Sequence, residues 1–453
     1  MLSFVSARSH GVTTRLPAIA ALVATLIGLT GFASASNETV VLAFDQTNGM
    51  TPLSGFVVDS KDHLYGVTSI GGTGNCSDFG GGAGCGTVYE LSPPAKTGEA
   101  WTETVLYNFQ GGADGDEVVG SLVFDKNGNL YGTTALGGAG ACTYGCGTVF
   151  ELSPPAVKGD PWTKTTLYTF QGGTSDGSYP ESTLVFDGVG NLYGTTQYGG
   201  GPNCAGYGCG TVFELSPPAK TGKPWTESVL HEFVGPTNGD AYAPAAGLVF
   251  DTAGNLYGTA PFGGTYNNGA IFALNPPAKT GGTWTESVIY SFIGAPDGAG
   301  PEAALTPGTD GVFYGTASGA GPAGFGSVFK ITPPPQEGAA WTLSVLYSFD
   351  LSTPGGNPFG PVLLAKNGDL YGTTLVGGDY SCNEGYNDGC GVVYQIDPPS
   401  KGTWKQAVLH SFMGGTDGVE PASSLVIGKY GYLYGTTESG GAGGAGTVFS
   451  VVK

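Results

Sequence analysis

The sequence predicts an all-β fold, arranged as a seven-bladed β-propeller of four-stranded blades. A Leu-Tyr-Gly phrase recurs seven times at intervals of 57 to 66 residues, and such a period is typical of repeat arrays and propellers. Glycine and proline, 83 and 30 of 453 residues, disfavour helix interiors, while the 40% hydrophobic content is sufficient for a core. The copies begin at Leu64, Leu130, Leu192, Leu256, Phe313, Leu370 and Leu433.

Each repeat contains four short apolar segments, and the second repeat shows the pattern. We expect a first strand at residues 121–125, followed by an Asn-Gly turn, which is a strong hairpin signal. The second and third strands are predicted at 130–134 and 147–152. A Ser-Pro-Pro loop and a tryptophan then lead to a fourth strand at 165–170. Strands of this length with glycine and proline between them are typical of propeller blades.

The two ends of the chain predict how the ring closes. Residues 40–44 resemble the fourth-strand segment 105–109, whereas the C-terminus stops after a third-strand segment, 447–451. The N-terminal strand is therefore expected to complete the last blade, which hides an edge that would otherwise be open to pairing. Six of the seven repeats carry one tryptophan each, and we interpret these residues as blade-packing residues: Trp101, Trp162, Trp225, Trp284, Trp341 and Trp404.

The N-terminus has the pattern of an export signal. Arg8 and Arg15 form a basic region, residues 16–30 form an apolar run, and Ala33-Ser34-Ala35 supplies small residues for cleavage. We therefore predict a signal peptide at residues 1–35 and a single propeller domain at 36–453; an uncleaved anchor helix is the alternative. The expected location is the periplasm, the cell surface or the extracellular space.

The charge of the mature chain limits its partners. Without Arg8 and Arg15, fourteen lysines face 36 acidic residues, for a net charge of −22. Nucleic acids and anionic membranes are excluded as partners, because their recognition depends on arginine and a basic field. Cations, neutral glycans and basic proteins remain as ligands. We expect a monomer with no membrane span after signal removal.

Three recurrent phrases resemble a known family. GNLYGTT, GTVFELSPP and an F-x-GG-x-DG-x-x-P run are similar to the GloVer tandem repeat of bacterial exported proteins of the choice-of-anchor type. The resemblance implies a propeller-like fold and names no activity. Relatives carry varied C-terminal surface anchors, whereas no anchor pattern precedes Lys453, so we expect release from the inner membrane.

The eight cysteines form four local pairs, each between the second and third strands of its repeat. Three repeats lack both members, as expected of disulfide partners, and export would permit oxidation. The alternative, a metal site, would need further converging ligands. The predicted pairs are Cys76 with Cys85, Cys142 with Cys146, Cys204 with Cys209, and Cys382 with Cys390.

The histidines give no sign of catalysis. His63 lies in a turn where other repeats have asparagine. His231 and His410 replace a fourth-strand tyrosine, so we interpret them as packing residues. The sequence contains no apparent nucleophile elbow and no phosphate-binding loop. We therefore predict no catalytic residues.

Acidic residues recur in Asp-Gly loops between the fourth strand and the next blade. In a propeller, these loops and the cysteine loops emerge on one face, which we call the loop face. The carboxylates either cap their own turns or form a ligand site, with Asp176 beside Glu181 and Asp297 beside Glu302. No cofactor is required, and calcium is the cation we consider. The candidate binding residues are Asp114, Asp176, Glu181, Asp297, Glu302 and Asp417.

These features predict an exported, non-catalytic binding or interaction module with its ligand site on the loop face. Loops on a rigid scaffold commonly carry binding residues, and the Asp-Gly and cysteine loops vary in length between repeats. Two alternatives stay open: a secreted carbohydrate-active hydrolase or lyase using loop acids, and a structural repeat protein of the cell envelope.

Overall fold

The computed structural model describes residues 38–453 apart from short gaps. These gaps are 77–83, 97–98, 221, 237–238, 280, 337, 351–354, 379–381, 383–387 and 400–401. The chain divides into Met1–Ser36 and Asn37–Lys453, and the described residues all belong to the second unit. The signal peptide predicted at 1–35 lies outside the described residues, and the domain boundary at 36 stays a prediction.

Seven antiparallel four-stranded sheets form the blades of a β-propeller, as the sequence predicts. The chain begins with β1 (Glu38–Ala43), which belongs to blade 7. Blade 1 contains β2 (Val57–Val58), β3 (Leu64–Thr68), β4 (Thr87–Ser92) and β5 (Thr102–Asn108). Blade 2 contains β6 (Val123–Phe124), β7 (Leu130–Thr134), β8 (Thr148–Ser153) and β9 (Thr163–Thr169). Blade 3 contains β11 (Val185–Phe186), β12 (Leu192–Thr196), β14 (Thr211–Ser216) and β15 (Thr226–Glu232). The small strand β10 (Gly177–Ser178) precedes this blade and pairs with β13 (Tyr198–Gly199), which lies in the loop between β12 and β14.

The remaining blades repeat this arrangement. Blade 4 follows β16 (Ala241–Tyr242) and contains β17 (Val249–Phe250), β18 (Leu256–Ala260), β20 (Ala270–Asn275) and β21 (Thr285–Ser291), with β19 (Phe262–Gly263) in its loop. Blade 5 contains β22 (Thr306–Pro307), β23 (Phe313–Ala317), β24 (Ser327–Thr332) and β25 (Thr342–Ser348). Blade 6 contains β26 (Leu363–Leu364), β27 (Leu370–Thr374), β28 (Val392–Asp397) and β29 (Lys405–Ser411). Blade 7 contains β30 (Val426–Ile427), β31 (Tyr432–Thr437) and β32 (Thr447–Val452), completed by β1.

The described residues contain no α-helix and only short 3-10 turns, among them Gly112–Asp114 and Cys204–Gly206. No helix among the described residues is long and apolar enough to cross a membrane.

The glycine of the repeated Leu-Tyr-Gly phrase makes room for a buried aromatic ring. A Cβ atom on Gly132 would lie 2.7 Å from Cζ of Phe150 on the adjacent third strand. Phe150 is fully buried and packs edge-on against Phe109 of blade 1, with the ring centroids 5.1 Å apart. Blades therefore contact one another through aromatic rings that any larger residue at this glycine would displace.

The strand β1 closes the ring as the sequence predicts. It pairs antiparallel with β32, and Val40 lies opposite Phe449. A bulge leaves Val41 without a register partner, and Leu106 has the same place between β4 and β5. The N-terminal strand thus reproduces a fourth strand down to its local irregularity, and the predicted closure is confirmed.

The first strands are shorter than predicted. The expected strand at 121–125 is reduced to Val123–Phe124. Ser121, which the prediction placed in this strand, forms hydrogen bonds to the two neighbouring blades instead. Its N–H donates to Thr183 Oγ1 of the next blade at 3.0 Å, and its Oγ accepts from the Gly55 N–H of the preceding blade at 3.1 Å. The residues just before the first strand of a blade therefore form contacts between blades and not strand pairs.

The tryptophans pack between blades, as interpreted from the sequence. Trp162 of blade 2 lies 6.5 Å, centroid to centroid, from Tyr65 of blade 1. Trp101 lies 5.4 Å from Tyr434 and so joins blade 1 to blade 7.

Candidate functional site

The loop face brings two sets of loops together. One set links the fourth strand of each blade to the next blade, and the other joins the second strand to the third. Short antiparallel bridges connect the two sets, such as Met50 with Ile70 and Ser178 with Tyr198. The Asn-Gly turns and Ser-Pro-Pro loops lie at the other ends of the strands. The two loop sets therefore share a face, as expected.

Asp176 and Asp297 cap their own turns. Asp176 is 5% exposed and accepts hydrogen bonds from the Tyr168 hydroxyl at 3.0 Å and from the Gln171 and Gly177 N–H groups at 2.7 Å each. Burial raises the pKa of Asp176, and these donors oppose the rise. Asp297 accepts from the Tyr290 hydroxyl at 2.6 Å and from the Gly294 N–H at 3.0 Å.

The other two predicted aspartates have the same role and an additional polar neighbour. Asp114 accepts from the Tyr107 hydroxyl at 2.8 Å and pairs with Lys164 of blade 2 at 3.0 Å. Asp417 accepts from the Met413 N–H at 2.8 Å, and His410 Nε2 lies 3.2 Å from its carboxylate. The turn-cap interpretation describes the geometry of all four aspartates, and a role for them in ligand binding stays a prediction.

The two predicted glutamates lie in environments that favour the protonated form. Burial raises the pKa of Glu181 to about 7, and the carboxylate of Glu117 adds to this effect. Burial also raises the pKa of Glu302, which a hydrogen bond from Ser318 opposes. The charged group that acts on Glu181 is thus Glu117 rather than its predicted partner Asp176.

Exposed aromatic side chains gather on the loop face of blades 2 to 4. The Tyr179 and Tyr198 rings meet edge-on with centroids 5.4 Å apart, and the Tyr242 and Phe262 rings stack at 5.3 Å with planes 19° apart. Tyr198 is 37% exposed and Phe262 is 46% exposed. We define the aromatic patch as Tyr144, Tyr179, Tyr198, Tyr207, Tyr242, Phe262 and Tyr266.

Acidic groups lie beside this patch. Burial is the main cause that raises the pKa of Tyr179, and the charges of Glu117 and Glu181 raise it further. The loop face therefore combines flat aromatic rings with carboxyl groups of raised pKa near the junction of blades 2 and 3.

The four predicted disulfides are present, each within its own repeat. The Cα atoms of the pairs lie 5.1 to 5.8 Å apart, and the chain contains no free cysteine among its described residues. The bridges pack under the adjacent loops: a Cβ on Gly172 would lie 2.9 Å from the sulfurs of both Cys142 and Cys146. The disulfides therefore fasten the loop face and are compatible with an exported protein.

Comparison with known proteins supports the resemblance found in the sequence. The family described as the Gloeobacter/Verrucomicrobia repeat matches residues 31–235, which include β1 and blades 1 to 3. The same phrases recur in the sequence of blades 4 to 7. No curated protein matches the chain.

Three solved structures are similar to this repeat protein at low identity. A protein of unknown function from Dyadobacter fermentans is 12% identical, with 91% of this chain and 98% of that chain covered and a TM-score of 0.42. A putative 6-phosphogluconolactonase from Bacteroides uniformis is 16% identical, with 86% and 97% covered and a TM-score of 0.46. Trypanosoma rangeli sialidase is 12% identical, with 80% and 57% covered and a TM-score of 0.41. Similarity at this level does not transfer an activity.

The face opposite the loop face of the repeat protein carries a cavity of about 680 Å³. Lys366, Lys429 and Lys453 line it, together with Asn367 and backbone of the hairpin turns of blades 6 and 7. This cavity is basic in a chain whose net charge is −20. The cavity is a second concave surface, so a variant on this face can serve as a control for ligand binding at the loop face.

Sequence reasoning missed the aromatic patch. The relevant signal is an aromatic residue six positions after the leucine of the repeat phrase, present as Tyr198 and Phe262 in blades 3 and 4. Other blades have Ile70, Leu136, Gly319, Val376 and Ser439 at this bridge position. The two blades therefore differ from the others in their loops and not in their strands.

Proposed function

We propose that this protein is an exported, non-catalytic binding module that takes a neutral polysaccharide on its loop face. The proposal rests on two aromatic contacts of the loop face, Tyr179 with Tyr198 and Tyr242 with Phe262. In each contact one ring, Tyr198 or Phe262, is exposed and the other is half-buried. Grouped exposed apolar surface on a soluble protein commonly marks an interaction site.

The chemistry of the patch fits a sugar chain. Flat aromatic faces can stack against the C–H faces of pyranose rings, and phenol and carboxyl groups can bond to sugar hydroxyls. Tyr198 supplies a ring and a hydroxyl, while Glu117 and Glu181 supply carboxyl groups nearby. The net charge of −20 disfavours an anionic polymer, so the proposed ligand is neutral.

Strand pairs and disulfides hold the loops of the aromatic patch in place before any ligand binds. Strands β10 and β13 hold Tyr198, strands β16 and β19 hold Phe262, and disulfides fasten the loops of blades 2 and 3. A preorganised surface loses less conformational entropy when a ligand binds.

The test is binding of the purified protein to a panel of neutral polysaccharides, followed by affinity measurement on variants. Tyr198→Ala and Phe262→Ala should each weaken binding about tenfold or more while leaving the melting temperature nearly unchanged. The matched control is Tyr430→Ala, because Tyr430 is 78% exposed and lies on the opposite face beside Lys429. This control should retain full affinity.

Three outcomes would contradict the proposal. Absence of binding to every glycan would remove the ligand class, and loss of affinity in Tyr430→Ala would move the site to the opposite face. Hydrolysis of the bound glycan would favour the carbohydrate-active enzyme, and loss of that hydrolysis in Glu181→Gln would assign the acid.

The cation-assisted site remains a separate proposal. Calcium at Asp176 or Asp297 would compete with the N–H groups that these carboxylates already accept. We therefore expect Glu181 and Glu302 to decide any calcium response. A calcium-induced rise in melting temperature should disappear in the double variant Glu181→Gln, Glu302→Gln. If calcium gives no rise in the unaltered protein, this site does not exist.

A further inference from the structure

Two blade junctions carry the same histidine and carboxylate set. At the junction of blades 3 and 4 it consists of His231, Asp240 and Glu286, and the candidate ligand atoms lie within 4.8 Å of one another. At the junction of blades 6 and 7 the set consists of His410, Asp417 and Glu38, whose candidate ligand atoms also lie within 4.8 Å of one another. In each set the histidine comes from a fourth strand, the aspartate from the following loop and the glutamate from the fourth strand of the next blade.

The first set contains buried polar atoms that no described residue satisfies. His231 Nε2 and Glu286 Oε1 are both inaccessible to solvent and have no hydrogen-bond partner among the described residues. His231 Nε2 lies 3.8 Å from Asp240 Oδ2, beyond hydrogen-bond distance. Leaving such groups unpaired costs free energy, so the arrangement calls for a ligand that contacts both.

At the tyrosine junction of blades 2 and 3 the fourth-strand side chain has its own partner. Glu227 Oε1 there is buried without a hydrogen-bond partner among the described residues, as Glu286 Oε1 is, so the unpaired imidazole nitrogen is what distinguishes the histidine junction. At three junctions a fourth-strand tyrosine hydroxyl bonds directly to the aspartate of the same loop, at 2.8 Å for Tyr107 with Asp114, 3.0 Å for Tyr168 with Asp176 and 2.6 Å for Tyr290 with Asp297. The imidazole of His231 does not reach its aspartate, whereas His410 Nε2 lies 3.2 Å from Asp417. In both blades the imidazole introduces a nitrogen that can bind metal. Packing against the following phenylalanine is kept, with the His231 and Phe233 centroids 4.7 Å apart.

The donor set suits a divalent transition metal. Imidazole nitrogen and carboxylate oxygen are ligands of Zn²⁺, and a neutral histidine with two carboxylates leaves a charge of −2 for the ion to balance. Calcium and magnesium prefer oxygen ligands alone. One histidine with two carboxylates therefore favours zinc-like ions over the calcium considered for the loop acids.

We propose that His231, Asp240 and Glu286 bind a divalent transition-metal ion such as Zn²⁺, and that His410, Asp417 and Glu38 bind a second. Each ion links two neighbouring blades through side chains of both. The second site includes β1, so metal binding there stabilises the closure of the ring. These sites lie in the junctions between outer strands and are independent of glycan binding at the aromatic patch.

The test is titration of the untagged, chelator-treated protein with Zn²⁺ by calorimetry, and with Co²⁺ by visible absorption. We expect two ions per chain and a rise in melting temperature with Zn²⁺. In the double variant Glu181→Gln, Glu302→Gln, which lacks the separate calcium site, Ca²⁺ should not reproduce this rise. His231→Tyr and His410→Tyr should each remove one ion, and the double histidine variant should bind none. Tyrosine occupies the equivalent position in other blades, so these variants should fold.

The matched control is Glu227→Gln at the junction of blades 2 and 3, which has the acids but a tyrosine in place of histidine. It should still bind two ions. The proposal is overturned if no Zn²⁺ binds, if the double histidine variant retains its stoichiometry, or if Glu227→Gln loses an ion. It is also overturned if Ca²⁺ is as effective as Zn²⁺ in the double variant Glu181→Gln, Glu302→Gln.

Discussion

The hydroxyl of Thr436 donates a 2.7 Å hydrogen bond to the carbonyl oxygen of Pro52 and so joins blade 7 to blade 1 across the closure of the ring. The same relationship recurs at five other junctions, where a second-strand threonine bonds to a carbonyl of the next blade. The pairs are Thr133 with Ser182, Thr195 with Ala246, Thr259 with Ala303, Thr316 with Gly360, and Thr373 with Ser423. In blade 1 the position is Val67, which is also buried. The site therefore accepts valine sterically.

Thr436→Val should lower the free energy of unfolding by about 1–2 kcal/mol, because the methyl group fits and the buried Pro52 carbonyl loses its donor. Denaturant titration measures the change. Thr133→Val is the matched control, since its bond is longer, at 3.3 Å, and its loss should cost less. Equal stability of Thr436→Val and the unaltered protein would show that this bond does not hold the closure.

Deleting residues 38–45 should expose β32 as a free edge and remove Phe44, which is fully buried beside Tyr89. We expect aggregation or a clearly lower melting temperature, since unpaired edges promote association and large core residues contribute several kcal/mol. A synthetic peptide of residues 37–48 should restore the melting temperature in part by re-forming the pairing with Phe449. A truncated protein that melts like the full chain would refute the closure as a source of stability.

The repeats explain why so much of the fold could be predicted. Val40 could be aligned with Val105 from sequence alone because all fourth strands share one local pattern, and the pairing of Val40 with Phe449 follows from it. The length of the first strands could not be predicted, because the bond from Ser121 to Thr183 joins residues 62 positions apart. Contacts between blades depend on the ring and not on local pattern.

The candidate site was less predictable for a related reason. An Asp-Gly loop has the same sequence whether its carboxylate caps the turn or binds a ligand, and only the donors around Asp176 distinguish the two. Likewise, His231 was interpreted as a packing residue from its place in the repeat. Its packing against Phe233 agrees with that interpretation, but its approach to Glu286 depends on the neighbouring blade.

The disulfides should each fasten a loop without being needed for the ring. For loops of this size, the entropic model gives roughly 2–3 kcal/mol per bridge. The double variant Cys142→Ser, Cys146→Ser should therefore lose stability and remain folded. Blade 5 lacks cysteines yet keeps the corresponding backbone bond, from the Gly326 N–H to the Ala320 carbonyl at 2.7 Å. Non-reducing peptide mapping checks the pairs, and a bridge between two repeats would contradict the assignment.

Stability should fall between mildly acidic and mildly alkaline pH because of buried glutamates at the blade junctions, and Glu227 provides the clearest test. Burial raises its pKa from 4.5 to about 7, and the nearby carboxylate of Asp176 adds to the effect. The folded protein thus holds a proton that the unfolded chain releases near its ordinary value. This contribution is complete below pH 4.5 and is lost as pH rises through about 7.

Glu227→Gln should consequently match the unaltered protein near pH 4.5 and exceed its stability at pH 8. The gain should be on the order of 1 kcal/mol, since partial exposure screens the charge. The amide keeps the shape of the side chain and cannot ionise beside Asp176 and Tyr168. Melting curves of both proteins across this range measure the difference, with Glu99→Gln as the control because Glu99 is exposed. A constant difference between the two proteins at every pH would mean that Glu227 does not carry the proton.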